Sequence, residues 1–331
     1  MISRRTAVTG PLSALTVAAL AGCGLGDRVA GVRPVPTEAE TTAPLDTTAA
    51  ALISSRVLSD ANIAAATGGA AGSKARKAVM TGHALAMAEA AVSTNTAPAL
   101  PDPSVRPPVA QVLAVSRSHN WPRYIVATTL DTTTSTRSLH VLVSAAATGQ
   151  YKVSESMPMV SGTSVPGLGP VEQGVEVVPN ASGLPASPAA ALAAYAKALA
   201  YPKPVKTTLV SLTDAASTAL AANATRQQSQ LGALAKLRQS HVPNKALPIA
   251  FRTADGGAVA FGMMTRSDVV TLTSKAKEVV LPADLAKLLG KSKVSTSVTV
   301  TTLEPVCLVI PSKGSASVIG MSEQITSVKG S

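Results

Sequence analysis

Residues 123–130, RYIVATTL, and residues 138–145, SLHVLVSA, decide the fold class that the sequence predicts. Both runs are short and rich in β-branched and apolar residues, and turn-forming residues separate them, which is typical of β-strands. Two further runs of this kind lie on either side, at residues 109–116 (VAQVLAVS) and 150–159 (QYKVSESMPM). Because the connections are short, the four runs predict an antiparallel meander.

Helical patterns precede this meander. Apolar residues recur at three- and four-residue spacing over residues 46–63, where Asp46 offers a helix cap. A second helix is predicted over residues 74–92, with Gly68, Gly69 and Gly72 breaking the chain before it. Helices followed by a strand meander predict an α+β fold, with the helices packed on one face of an antiparallel sheet.

The second half of the chain repeats this order. Ser187 followed by Pro188 predicts a helix start, with helices over residues 189–200 and 213–239. Strands are predicted at residues 248–253, 258–267, 269–274, 294–303, 305–311 and 316–324, and a short helix at 282–289. We therefore predict two α+β domains, at residues 46–160 and 188–331, joined by a Gly- and Pro-rich linker at residues 161–187.

The N terminus has the organisation of an export signal. Arg4 and Arg5 precede an uncharged stretch that runs to Ala21 and is shorter than the ~20 residues that span a bilayer. The stretch ends in Leu20-Ala21-Gly22-Cys23, which resembles the lipobox of bacterial lipoproteins. In that family the Cys thiol receives diacylglycerol and a peptidase cuts before it. The resemblance implies that residues 1–22 are a signal peptide and that Cys23 becomes the lipidated first residue.

This resemblance also implies a location, the outer face of the cytoplasmic membrane. Each buried methylene contributes ~0.8 kcal/mol, so the two acyl chains of a diacylglyceryl group anchor a protein stably. Residues 23–45 are rich in Gly, Pro and Thr, and they predict a disordered tether with a span of roughly 25 Å. Arg4 and Arg5 leave both Sec and twin-arginine export open.

The body of the chain carries a second resemblance. Repeated helix–helix–strand units of ~130 residues are similar to the nuclear transport factor two-like (cystatin-like) fold. The layout resembles a group of actinobacterial lipoproteins of uncharacterised function, on the lipobox and on Trp121-Pro122-Arg123-Tyr124 and Phe261-Gly262-Met263-Met264-Thr265-Arg266. The resemblance implies no activity, because this fold hosts both binding proteins and enzymes.

The composition and charge of the chain indicate which classes of binding partner are expected. Hydrophobic residues make up 46% of the chain but aromatic residues only 2%, so the core is predicted to consist of Ala, Val and Leu. Loss of the signal peptide removes Arg4 and Arg5 and lowers the net charge from +11 to +9. Basic residues are not clustered and stacking aromatics are scarce, which argues against a nucleic-acid partner. A weakly basic body favours anionic lipid or cell-wall polymer.

The side chains that could carry chemistry do not form a recognised motif. His83, His119, His140 and His241 lack metal-ligand spacing, so we predict neither a metal site nor a cofactor. Residues 161–164 and 313–317 approach, but do not match, the G-x-S-x-G pattern of serine hydrolases. Cys307 has apolar neighbours and is predicted to be a buried structural thiol.

One aromatic patch is a candidate for ligand binding. Trp121, Arg123 and Tyr124 could line a concave sheet and hold an apolar or glycan ligand, with Arg123 pairing to an anion. The alternative is a structural corner in which Pro122 sets the turn and Trp121 fills a core of small residues. Arg252 and Arg266, near strand ends, allow the same two interpretations.

Three functional hypotheses follow, and the last of them is a purely structural spacer with no pocket larger than a few water molecules. The first is a membrane-anchored extracytoplasmic lipoprotein that binds or scaffolds a cell-envelope protein, lipid or glycan without catalysis. The second is an envelope enzyme whose active site lies in a cavity and carries no sequence motif. A pocket with converging polar side chains and a perturbed pKa would favour the enzyme.

Overall fold

The computed structural model describes residues 42–101, 109–117, 120–178 and 183–331, and residues 1–41, with the predicted lipobox, lie outside these ranges. Glu40–Ser331 forms one compact unit. Its helices are α1 (Thr47–Ala66), α2 (Gly69–Val79), α3 (Gly82–Ser93), α4 (Pro188–Ala198), α5 (Ala215–Leu231) and α6 (Ala283–Leu289). The predicted caps are present, since Asp46 and Ser187 accept the backbone N–H groups of Ala49 and Ala190.

The first sheet is the predicted meander. Its strands are β1 (Gln111–Val115), β2 (Arg123–Asp131), β3 (Thr136–Ser144) and β4 (Lys152–Pro158), and they pair antiparallel in sequence order. The predicted α+β class is therefore confirmed, and the four strands lie within the predicted runs to within two residues at their ends.

The second sheet is built on two long strands. Its members are β5 (Ala235–Pro243), β6 (Ile249–Arg252), β7 (Ala258–Leu272), β10 (Ser297–Ile310), β11 (Ser317–Met321) and β12 (Gln324–Gly330), while β8 (Val279–Val280) and β9 (Lys293–Val294) form a separate pair. β7 and β10 pair along their whole length. The other edge of β7 takes β5 and β6, and the other edge of β10 takes β11 and β12.

The elements stack in four layers. α1–α3 cover the outer face of the first sheet, and α4 and α5 cover the outer face of the second. Between the two sheets lies a shared core that includes Val126 and Leu139 from the first sheet and Phe251, Phe261 and Cys307 from the second. Residues 46–160 and 188–331 each supply one sheet with its own helices. The division into two domains stays a prediction.

The predicted second helix, residues 74–92, is wrong in its bounds. It is two helices, because the Thr81 N–H donates to the Val153 carbonyl oxygen of β4 and ends helical bonding there. The start is also earlier than predicted, at Gly69. Gly72 lies inside α2, where a Cβ atom would come within 2.0 Å of the Thr67 carbonyl oxygen. This glycine therefore allows a close turn between α1 and α2 rather than a break.

Three predictions in the second half are also wrong. The predicted helix at residues 213–239 ends at Leu231, and β5 begins at Ala235. The runs predicted as separate strands on either side of Asp268, and those on either side of Glu304, are continuous in β7 and β10. Pro305 does not interrupt β10 because it lies between the segments that pair with β12 and with β11, where no ladder hydrogen bond from its nitrogen is needed.

Candidate functional site

A row of polar side chains crosses the helix-facing side of the second sheet. Arg266 of β7 pairs in register with His241 of β5 on one side and with Thr302 of β10 on the other. Residues two apart on a strand share a face, so Asp268 and Glu304 lie on the same side as this row. The strand register thus brings together residues that are as much as 63 positions apart in sequence.

Glu304 is the centre of this charge cluster. Its side chain is completely buried. One carboxylate oxygen, Oε2, lies 2.7 Å from Nδ1 of His241, and the other, Oε1, accepts a hydrogen bond of 2.9 Å from Nη1 of Arg266. Both oxygens therefore have a nitrogen partner, as a buried carboxylate requires.

Arg266 links three carboxylates. Its Nε donates to Oδ2 of Asp268 at 3.0 Å, and its Nη1 contacts both Glu304 and Glu323, a residue of the turn between β11 and β12. The guanidinium is mostly buried, whereas Glu323 is 43% exposed. The charge cluster, defined as His241, Arg266, Asp268, Glu304 and Glu323, therefore extends from the interior to the surface at Glu323.

Burial and charge shift the ionisation of this cluster in opposite directions. Burial raises the pKa of Asp268 and of Glu323, and Arg266 only partly offsets this increase. Burial alone would lower the pKa of Arg266, but the carboxylates of Asp268, Glu304 and Glu323 raise it above its usual value. Three carboxylates around one guanidinium keep Arg266 charged and give the cluster an excess of acid.

Three buried polar atoms of the row make no hydrogen bond within the part of the chain that the structure describes. They are Nε2 of His241, Oδ1 of Asp268 and Oγ1 of Thr302. An uncompensated buried polar atom costs ~1–3 kcal/mol. The row of polar side chains is therefore incompletely hydrogen-bonded at these three atoms.

Glu323 lines a surface pocket of about 330 Å³. Its walls come from the end of α3 (Thr94, Asn95, Thr96), from α6 (Asp284, Lys287) and from the start of β12 (Gln324). The amide nitrogen of Gln324 donates to the hydroxyls of Thr94 and Thr96, both at 3.0 Å, and so fixes one wall. Leu288 and Ile325 add apolar surface to these polar groups, and a mixed lining of this kind suits a small ligand with both polar and apolar parts.

A second histidine–carboxylate pair lies at the edge of the first sheet. Nδ1 of His83, on α3, is 2.8 Å from Oε1 of Glu155, on β4. Glu155 is buried, and burial raises the pKa of its carboxyl group even though His83 acts in the opposite direction. This pair is separate from the charge cluster, because it joins a helix to β4 rather than two strands of the second sheet.

Burial separates most of the charge cluster from a molecule in the pocket. The side chains of His241 and Glu304 are 1% and 0% exposed, and Glu323 is the one member of the charge cluster that lines the pocket. Within the described ranges, no group of three or more His, Cys, Asp or Glu side chains could hold a metal ion. Arg266 holds the Glu323 carboxylate in place at the pocket wall.

The residues of the predicted aromatic patch, Trp121, Arg123 and Tyr124, do not share one face of β2. The guanidinium of Arg123 lies over the Trp121 ring, 4.1 Å from its centre. Tyr124 points to the opposite face of β2, where its ring meets Phe251 edge-on at 5.7 Å within the inter-sheet core. Trp121 is 39% exposed and does not fill the core. Ligand binding by Trp121, Arg123 and Tyr124 stays a prediction, with only the first two on one surface.

The remaining candidates fall in different places. His119 lies outside the described residues, and His140 is buried in β3 between the hydroxyls of Thr129 and Ser156. Cys307 is buried, as predicted, and burial raises the pKa of its thiol well above the usual value. Arg252, at the end of β6, lies near Glu176 on the surface.

Sequence reasoning missed the charge cluster. The predicted elements leave His241 between the helix predicted to end at residue 239 and the strand predicted to begin at residue 248. The predicted break at residue 304 hides that Thr302 and Glu304 share a face with Arg266. A signal was present, since Arg266 stands in a predicted strand and Asp268 and Glu304 stand between predicted strands with strand-forming residues on both sides. A charged residue on a buried strand face requires a charged or hydrogen-bonding partner. Locating those partners required the register between β5, β7 and β10.

Comparison with known proteins identifies the family of the body. Residues 34–330 match the family described as Domain of unknown function (DUF8094). No curated protein and no protein of solved structure matches the chain. In the residues that the structure describes, no helix combines the length and the apolar character needed to cross a membrane.

Proposed function

The chain belongs to the family Domain of unknown function (DUF8094). We propose that this member of the family is a lipid-anchored extracytoplasmic protein that binds a component of the cell envelope. The observation that carries the proposal is Leu20-Ala21-Gly22-Cys23 at the end of an uncharged stretch behind Arg4 and Arg5. The family match begins at residue 34, beyond this leader, which is consistent with a leader that serves export and a body that serves function.

The body supports binding rather than catalysis. Its charge cluster has the acidic excess and the raised carboxyl pKa values of a perturbed site, but its histidine is enclosed. The open pocket beside Glu323 presents hydroxyl, amide and charged groups to a ligand. Of the cluster, only Glu323 lines the pocket, and structural ion networks shift pKa values as active sites do.

The proposal includes the relationship to the nuclear transport factor two-like fold. In support, each half of the body places its helices against one face of an antiparallel sheet. This likeness concerns architecture, and a fold of this kind carries no function by itself.

The two cysteines of the chain provide the experiment. Cells that express the full chain are fed a labelled fatty acid, and the label on the protein is measured after membrane extraction. Wild-type protein and the control Cys307→Ala are expected to carry the label, whereas Cys23→Ser is expected to carry none and to keep its leader. Cys307 is buried, so its replacement tests the thiol chemistry without touching the leader.

Equal labelling of the Cys23→Ser chain and the wild type would refute the anchor. Labelling that is lost in Cys307→Ala and kept in Cys23→Ser would refute it as well.

A further inference from the structure

The loop between α4 and α5 forms one side of an open groove of about 1040 Å³. Pro204, Val205, Val210 and Leu212 supply apolar lining, and Thr208 and Ser315 supply hydroxyls at its border. Val205 is 53% exposed. A patch of this kind on a protein surface often marks an interaction site.

Hydrogen bonds hold the loop against the body. The Val205 N–H donates to the Lys197 carbonyl oxygen at 3.0 Å, and the Ala316 N–H donates to the Leu209 carbonyl oxygen at 2.8 Å. The Ser315 hydroxyl donates to the Thr208 carbonyl oxygen at 2.7 Å. The apolar side chains are thus presented on a fixed backbone, which lowers the entropy lost on docking.

The charged residues of the two segments that form the groove are all lysines. Lys197, Lys203, Lys206 and Lys313 are all exposed. Residues 197–213 and 305–322 contain no Asp or Glu. Asp214 follows directly, but its carboxylate caps α5 by accepting the N–H and the hydroxyl of Ser217 at 2.9 and 2.5 Å. The groove therefore combines ammonium groups with apolar side chains.

We propose that this loop face docks on the anionic lipid headgroups of the membrane that anchors the chain. Lysines near an anionic bilayer contribute ~1 kcal/mol each, and lysine stems can lie along apolar surface while their ammonium groups reach phosphate oxygens. Val205 and Leu209 would then enter the headgroup boundary. This inference rests on the proposed lipid anchor, which raises the effective concentration of the body at the bilayer.

The length of chain before the body permits this contact. Residues 24–41, if fully extended, reach about 60 Å. A compact unit the size of Glu40–Ser331 has a radius of gyration of about 19 Å. The chain is therefore long enough to turn the α4–α5 loop toward the membrane from any point of attachment.

The test uses the chain without residues 1–23, so that no lipid contributes. Among the residues that the structure describes, the core residues lie between Ala43 and Val328, and this truncation removes none of them. Sedimentation is measured with vesicles of phosphatidylcholine alone and with vesicles in which a third of the lipid is phosphatidylglycerol. We expect binding only to the second kind. It should weaken when salt rises from about 0.1 M to about 1 M, which shortens the Debye length from about 10 Å to about 3 Å.

Two matched pairs of variants locate the contact. The double variant Lys203→Glu, Lys206→Glu should lose about thirtyfold or more in vesicle affinity, since each lysine contributes ~1 kcal/mol. The control Lys275→Glu, Lys277→Glu makes the same change of charge on the exposed turn after β7 and should lose much less. Val205→Ser should lose about fivefold, whereas Val242→Ser, at the equally exposed Val242, should not.

Equal losses in the two double variants would overturn the proposal, as would equal binding to both kinds of vesicle. Binding to a soluble anionic wall polymer without binding to vesicles would replace the bilayer as partner. Because these measurements use a chain without lipid, they can fail while Cys23 is still labelled, and the anchor can fail while vesicle binding holds.

Discussion

Two buried histidine–carboxylate pairs in this molecule have similar geometry but different surroundings. His241 lies 2.7 Å from Glu304 in the second sheet, and His83 lies 2.8 Å from Glu155 at the edge of the first. Both carboxylates are buried. Only Glu304 also accepts a hydrogen bond from a guanidinium, that of Arg266.

The difference concerns the presence or absence of a guanidinium beside the buried acid. Without an arginine, burial outweighs His83 and raises the pKa of Glu155, so its neutral form is favoured. In the second sheet, Arg266 keeps a permanent positive charge beside Glu304, and its own pKa is raised by the surrounding carboxylates. Glu304 should therefore be needed as an acceptor, whereas a neutral group should replace Glu155 at little cost.

The largest expected effect is that of Glu304→Leu. It leaves His241 without its carboxylate and takes one partner from Arg266, which Asp268 and Glu323 still hold. Breaking a buried pair in this way costs ~3–5 kcal/mol, and we expect about 3 kcal/mol in the free energy of unfolding by urea at neutral pH.

The matched control is Glu278→Leu. Glu278 pairs with Lys293 on the surface, where both side chains are about half exposed, and such pairs contribute ~0–1 kcal/mol. Similar losses for the two variants would show that the cluster is no more important than a surface pair.

A third histidine, the buried His140, sharpens the comparison because it has hydroxyl partners and no carboxylate partner. Burial lowers its pKa from 6.5 to about 4. The unfolded chain then binds a proton that the folded chain does not, so stability falls as the pH drops from 6.5 toward 4. The linkage amounts to about 3 kcal/mol. Unfolding curves across this range should show the loss in the wild type and a smaller one in His140→Gln. An equal loss of stability in the wild type and in His140→Gln between pH 6.5 and pH 4 would contradict the lowered pKa of His140.

The smallest expected effect is that of Glu155→Gln. A raised carboxyl pKa contributes stability that is present below the usual value of 4.5 and is lost as the pH rises through the folded-state value. At about pH 5 the variant should match the wild type to within about 1 kcal/mol. At about pH 8 the variant should be more stable than the wild type, because only the wild type has to ionise a buried carboxyl group. Thermal unfolding of both proteins at the two pH values measures this difference. A variant that is equally destabilised at both pH values would show that the charged pair is required.

The parts of the fold that local pattern controls were predictable. The strands of the first sheet and the capped starts of α1 and α4 follow from alternation, turn residues, Asp46 and Ser187. Long-range register was not predictable. Pro305 indicated a strand end, yet the gap between β11 and β12 accommodates it. Gly72 indicated a break, yet it permits the close turn at Thr67.

The candidate site was less predictable than the fold for the same reason. Trp121, Arg123 and Tyr124 are neighbours in sequence, but alternation along β2 sends Tyr124 to the other face. His241, Arg266 and Glu304 are distant in sequence, but the pairing of three strands brings them into contact. A site built across strands becomes visible only when the register is known.

The most direct test of the account is the mass of the N-terminal peptide of the protein extracted from membranes. We predict that the peptide begins at Cys23 and carries a diacylglyceryl group on the sulfur atom. A peptide that begins at Met1, or a mature terminus with an unmodified Cys23, would contradict the anchored protein on which the proposed function depends.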